Sequence, residues 1–350
     1  MVKKHVLYDI RTKFLLQNHH HLYYNDVAGK KYHIDYSYFF YYNIFIMKDI
    51  ERYKHLNTYL KEKFGERTLK ICVDGNFICP NRDGTLAYGG CIYCSEKGSG
   101  ELIKKCDDIS LQVHNFLNSY KADRANKFIV YFQNFTNTYD TIENLKKKYD
   151  SALVDDRIVG LSIGTRPDCI TEEIAKLLKS YTDKYYVCVE LGLQTSNNKT
   201  GELINRCYTS QQFTNAAQIL NKYNIDVVTH IMVGLPNETI EDIKNTINFV
   251  NSHKLQGIKI HSTYVVKNTI LSNMYENGEY KPLEFEDYMD NLIYIITHLN
   301  PNFVIHRISG DAPKDILIAP SWNVHKKWVL NEFKKRLKEN DLWQGKFYSI

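Results

Sequence analysis

Past Gly65 the chain settles into a repeating rhythm. A short aliphatic or β-branched run is followed by a polar turn, then by a longer stretch whose apolar residues recur every three or four positions. The short runs, at 69–74, 127–133, 157–164, 185–193, 226–233, 257–265 and 303–308, predict strands. The longer stretches, at 111–120, 141–149, 171–180, 210–223, 239–253 and 285–299, predict helices. Strand and helix taking turns implies parallel pairing through crossovers, hence an α/β sheet or barrel. The polar punctuation falls just after each strand, in CPNRDG, NFTNTYD, TRPDCI, QTSNN, GLPNET and HSTY. In (β/α) barrels the loops at the carboxyl ends of the strands form the active face, so these polar motifs are expected on one rim.

The two ends of the chain differ from this rhythm. The first 46 residues are dense in Tyr, Phe, His and Asn without a clear period. From Met47, the residues Ile50, Tyr53, Leu56, Leu60 and Phe64 recur at helical spacing until Gly65 ends the run. The expected division is therefore an irregular extension at 1–46, with Met47 as native initiator or the extension dispensable, then a core domain at 47–320. A basic helix within 321–350, from about Val324 to Glu339, is expected to pack on or beside that core. Its lysines and arginines read first as a solvated face, with an RNA-facing patch as the alternative.

Composition narrows the class. At 350 residues with a formal charge of +5, the chain is a mildly basic globular protein for which a polyanionic partner is permitted and not required. Eight irregularly spaced cysteines fit a reducing compartment, so a cytoplasmic location is expected. No run approaches the roughly 18 apolar residues of a membrane span.

The chemistry concentrates after the first strand of the core. Cys79, Cys91 and Cys94 have the spacing C-x11-C-x2-C in a loop rich in Gly and Pro. Thiolates bind soft metals, and three of them leave a position of a four-ligand or four-iron centre open for chemistry. Cys72 would complete a closed zinc site by count alone, but it sits in an alternating strand. Cys106, Cys169, Cys188 and Cys207 read as buried or incidental thiols.

With this loop, the phrases YFQNFTNTY, GLSIGTRPD, VELGLQT, INR, HIMVGLP, GIKIH and HRISGDAP together resemble the bacterial YhcC group of radical S-adenosylmethionine (SAM) proteins. That group is similar to the Elongator catalytic subunit and to oxygen-independent coproporphyrinogen oxidase. The resemblance implies an α/β fold, an incomplete (β/α)6-type TIM barrel with a C-terminal α/β extension. It implies a [4Fe-4S] cluster on Cys79, Cys91 and Cys94, SAM on the fourth iron, and reduction by a flavodoxin- or ferredoxin-type electron donor. Reductive cleavage of SAM would then give a 5′-deoxyadenosyl radical. Gln194 and His230 match positions that touch the SAM ribose, and Arg206 in INR matches an arginine that pairs with the SAM carboxylate. Where related proteins place a glutamate for the SAM amine, this chain has Gly164, which leaves Gln133, Asn134, Thr136, Thr165 and Glu190 as candidates. Lys259, His261, His306, Arg307 and Asp311 stand toward the substrate end, as a binding set or a buried ion-pair network. The resemblance extends to wobble-uridine side-chain maturation, from carboxymethylaminomethyl to aminomethyl, which would make tRNA a partner. The alternatives are a small metabolite as substrate, or a zinc-binding structural or RNA-binding module without turnover.

Overall fold

In the computed structural model, residues 51–98, 100, 103, 106 and 108–349 are described in full, together with two strands nearer the start of the chain. The chain divides into two units, Met1–Glu51 and Arg52–Ile350. In the first, β1 (Leu22–Asn25) and β2 (Lys31–Ile34) pair antiparallel with Leu22 opposite Ile34, two strands that the aperiodic sequence does not announce. The helical start expected at 47–50 lies outside the described residues.

The second unit is built on parallel strands β3 (Thr68–Val73), β4 (Lys127–Phe132), β5 (Ile158–Thr165), β6 (Tyr186–Gln194), β7 (Asp226–Val233) and β8 (Gly257–Ser262). After the two-residue strand β9 (Val265–Val266) comes the seventh parallel strand, β10 (Val304–Arg307). The seven lie side by side in chain order, while β9 pairs antiparallel with β11 (Leu317–Ala319) in a separate ribbon. Helix α1 (Leu56–Phe64) precedes β3, and α2 (Ile109–Leu117), α3 (Ile142–Asp150) and α4 (Glu172–Tyr181) follow β3, β4 and β5. Two helices, α5 (Asn198–Leu203) and α6 (Ser210–Lys222), follow β6, and α7 (Ile240–Asn251) follows β7. Then come α8 (Ile270–Glu276) and α9 (Phe285–His298) before β10, and α10 (Lys326–Glu339) near the end.

The sheet is curled into a partial barrel. Lys259 of β8 and Tyr131 of β4 are four strands apart, about 19 Å on a flat sheet. Yet Lys259 Nζ donates to Tyr131 Oη at 3.3 Å. Each strand has two unlike faces. On β6, Val187, Val189, Leu191 and Leu193 join the hydrophobic core under the helices, whereas Glu190, Gly192 and Gln194 line a cavity inside the curl. The six strands β3 to β8, with β10 at their open edge, therefore enclose a polar interior at the heart of the unit.

The open seam of the barrel is closed by both ends of the unit. The helical spacing from Ile50 to Phe64 predicts one long helix, but α1 begins at Leu56, with His55 Nδ1 accepting from Asn57 N as its cap. The residues just before it instead lie along the outer edge of β10, whose backbone needs partners. Ile305 N donates to Lys54 O at 2.8 Å, and His55 bridges Ile305 in parallel. Helix α1 packs against both β10 and β3, the two edge strands. Gln344, buried, locks the seam: Lys54 N donates to its Oε1, its own N donates to Arg52 O, and its Nε2 donates to Asn300 O and Phe303 O. Helix α10 sends Val329, Phe333 and Leu337 into the main core. Arg336 on its outer side is held by Glu286 and Glu332. No helix among the described residues is long and apolar enough to cross a membrane.

Candidate functional site

A cavity of about 280 Å³ opens at the carboxyl ends of the strands. Cys79, Cys91 and Cys94 line it on a loop with its own frame. Asn81, fully buried, donates to Asn205 O at 2.6 Å and lies 3.7 Å from Cys91 Sγ. Gly90 adopts φ +83°, donates to Asn81 O and accepts from Asn205 Nδ2; a side chain there would meet Arg82. Arg82 in turn donates to Cys94 O and Ser95 O. Ile92 N donates to Ile204 O, so the loop is moored to the residues that follow α5.

This mooring explains the INR motif. Arg206 is fully buried and does not line the cavity. It donates to the backbone carbonyls of Leu193, Thr195 and Tyr208 and to Asn198 Oδ1. Its guanidinium is thus committed to the exit of β6, and the expected pairing of Arg206 with a SAM carboxylate is not what the structure shows. Spacing identified an arginine at the right loop, but burial decides its work. Arg166, which does line the cavity, is held fork to fork by Asp168 at 3.0 and 2.7 Å with Nη1 4.0 Å from Cys79 Sγ.

Most of the remaining predicted residues come together, whereas Asn134 donates to Asp74 Oδ2, His306 pairs with Gln256, and neither they nor Asp311 line the cavity. Gln133, Thr165, Glu190, Gln194 and His230 all line the cavity. Gln194 sits at φ +60°, where β6 leaves the sheet, with its Oε1 accepting from Tyr208 Oη at 2.5 Å. Tyr208 escaped the sequence reading although it follows INRC directly. Its hydroxyl also reaches Gly192 O, and its ring lies under both Arg166 and Arg206. Thr165 Oγ1 pairs with Thr138 Oγ1 at 2.6 Å. At Gly164 a Cβ would stand 3.2 Å from Phe132 O and 3.3 Å from Tyr131 Oη, so β4 occupies the space a larger residue would need.

The interior is strongly polarised. Glu190 Oε1 accepts from Lys70 Nζ at 2.5 Å and from Ser162 Oγ at 2.7 Å, while Oε2 meets His230 Nε2 at 2.8 Å and Lys259 Nζ. Burial alone would raise the Glu190 carboxyl, yet Lys259, Lys70 and His230 hold it well below the usual range. Burial brings Lys259 down to about 8 against the pull of Glu190, and burial with the nearby Lys259 charge brings His230 to about 4. His230 is therefore neutral at pH 7. Cys72 lies on β3 two residues from Lys70, and its thiol feels Lys259, Lys70 and Arg307. Its side chain is exposed, on the same face of β3 as Lys70, and it is not among the residues lining the cavity with the cysteine loop.

Comparison with known proteins agrees with this geometry. Residues 79–250 match the Radical SAM superfamily model and residues 255–339 the Radical_SAM C-terminal domain. The chain is 39% identical over 300 residues to the uncharacterized protein YtqA of Bacillus subtilis, covering 85% of this chain and 93% of that one. It is 34% identical over 264 residues to protein YhcC of Escherichia coli, covering 75% and 85%. It is 31% identical over 183 residues to a tRNA uridine(34) acetyltransferase of Methanocaldococcus jannaschii, covering 51% of this chain and 32% of that one. The solved archaeal Methanocaldococcus infernus Elp3 aligns with a TM-score of 0.60 at 20% identity, over 79% of this chain and 64% of that one.

The family works with a [4Fe-4S] cluster and SAM. The donor set here suits them: burial, and then Cys94, push the Cys91 thiol up to about 12, so a bound cation is what would make it a thiolate. Polar groups for a nucleoside line the same cavity in Gln133, Thr165 and Gln194. With 85% of its length aligned at 39% identity to one relative, the chain belongs to the radical SAM superfamily.

Proposed function

We propose that this radical SAM enzyme matures the wobble uridine of tRNA, converting a carboxymethylaminomethyl side chain at C5 to aminomethyl. The C–N bond to the carboxymethyl group would break after two-electron oxidation of its methylene, with SAM as oxidant and water supplying oxygen, and the group would leave as glyoxylate. The observation that carries the reaction class is the cavity wall itself, where three cysteines of one moored loop share a chamber with the polar strand ends of β4 to β8. The cluster and SAM, when bound, supply one-electron reductive cleavage and a 5′-deoxyadenosyl radical that removes a substrate hydrogen.

The chain's own residues do the holding. Cys79, Cys91 and Cys94 bind the cluster. Gln194, fixed by Tyr208, and neutral His230, fixed by Glu190, present hydrogen-bonding groups to the SAM ribose. Arg166 takes the carboxylate role that Arg206 cannot reach, and Gln133 and Thr165 face the amine. Glu190 already serves two lysines, so its work is to orient the interior. An electron donor is required by the chemistry, and a small flavodoxin or ferredoxin type is the proposed partner.

The tRNA reading is supported by the relative named for uridine 34 of tRNA and by the cationic interior. Nucleoside mass spectrometry of tRNA from a deletion strain tests it. Carboxymethylaminomethyluridine should accumulate at the expense of its aminomethyl product; an unchanged wobble profile overturns the assignment.

A further inference from the structure

The cavity carries more positive charge than its acid balances. Among the described residues, Glu190 is the one acidic side chain lining it, and it is shared by two ammonium groups, Lys70 and Lys259. Arg307 lines the same cavity; its partner Asp311, at 3.2 Å, also holds Lys326 at 2.6 Å. Counting Lys70 and Lys259 against Glu190 leaves one positive charge on that group, with Arg307 beside it sharing its acid with Lys326; of the other cations at the cavity, Arg166 is held by Asp168 and Arg82 belongs to the cysteine loop. An uncompensated buried charge is costly and is normally met by a counter-ion.

A second observation lies beside it. His261, next along the inward face of β8 from Lys259, has its Nε2 buried with no hydrogen-bond partner among the described residues. Neither Lys259, Arg307 nor His261 is needed to hold the cluster or SAM in the arrangement above. These three come from β8 and β10, whereas the cysteine loop follows β3.

We propose that Lys259, Arg307 and His261 form an anion-binding subsite that takes a carboxylate of the substrate. A monoanion matches the one charge left over in the Lys70–Glu190–Lys259 group, whereas a dianionic phosphate ester exceeds it. Arg307 offers a planar fork, Lys259 a point charge, and His261 a neutral donor or acceptor. The proposal rests on the reading above, in which the group to be removed ends in a carboxylate. It adds which residues recognise that end.

The test uses the cluster-loaded enzyme with SAM and two matched pairs of probes. One pair is an anticodon stem-loop RNA bearing carboxymethylaminomethyluridine and the same RNA with the terminal carboxylate replaced by its amide. The other is N-benzylglycine and its amide, followed by saturation-transfer NMR. Wild type should bind each carboxylate about tenfold more tightly than its amide, the worth of one charge-assisted contact. Lys259→Met and Arg307→Met should erase that preference, and Arg307→Met, whose side chain pairs with Asp311 and not with Glu190, should leave SAM binding unchanged. If neither RNA binds but the small pair is still discriminated through Lys259, the substrate reading fails and the subsite stands. Retained discrimination in both variants overturns the subsite whatever the RNA does, and tighter binding of phenyl phosphate than of N-benzylglycine overturns the carboxylate assignment. Should Lys259→Met fail to fold, Arg307→Met at the partly exposed mouth decides the question by the same two comparisons.

Discussion

Arg206 and Arg166 show how little a residue's chemistry says without its surroundings. Arg206→Ala would leave three buried carbonyls without their donor, and should cost about 3 kcal/mol or more, read as a lowered urea midpoint. The cysteines divide in the same way. Alanine at Cys79, Cys91 or Cys94 should abolish bound iron and sulfide in anaerobically purified protein, while Cys72→Ala, altered on β3 outside that loop, should keep about four irons per chain. His230 sets a pH response. Its folded value near 4 lies below the ordinary value near 6.5, so the unfolded chain binds the extra proton and stability falls as pH drops through that window. His261 and His306 are displaced in the same direction by burial. Between pH 7.5 and 5 the His230 share should be about 2 kcal/mol, and His230→Gln should shrink the difference in unfolding free energy from urea titrations at the two pH values by about that amount. The cysteines were legible because their spacing is covalent and local. Tyr208 and the true task of Arg206 were not, since both depend on which carbonyls end β6.

The strands carry two messages at once, and that is why the barrel could be read from the chain. On β6 every outward position is aliphatic, while the inward positions are Tyr186, Cys188, Glu190, Gly192 and Gln194. Alternation of this kind marks a strand with one dry and one wet face, even though parallel strands are usually apolar on both. The energetic knot is Glu190. Glu190→Gln should destabilise the unit by about 3 kcal/mol by stranding two ammonium groups. Adding Lys259→Met should recover part of that loss, a coupling that a double-mutant cycle measures directly. Helix α1 was less legible. Ile50, Tyr53 and Leu56 fall at helical spacing, but Tyr53 is buried against Phe333 from a bend ahead of the helix, held there by tertiary packing that no local period announces. Short elements such as α5, α8 and the β9–β11 ribbon lack the length for any period to show.

At the scale of the molecule, the division after Glu51 and the way the second unit closes on itself matter most. A chain beginning at Met47 should melt at the same temperature and hold the same iron as the full chain, as calorimetry and metal analysis would report. Loss of the tail has the opposite consequence. Deleting residues 340–350 removes Gln344 and its four hydrogen bonds, and should lower the melting temperature of the whole unit by several degrees.

The Gln344 clasp also fixes an order of events. Neighbouring strands of the sheet are joined by short crossovers, but Lys54 and Gln344 are separated by 290 positions. Closing a loop of that length forfeits the most chain entropy and gains few contacts in return until the sheet beneath it exists. The seam is therefore the last part of the barrel to form and the first to part. In native-state hydrogen exchange, the amides of Lys54 and Ile305 should trade protons with solvent well before those of β5 and β6, at a rate that reports breathing of the seam and not global unfolding.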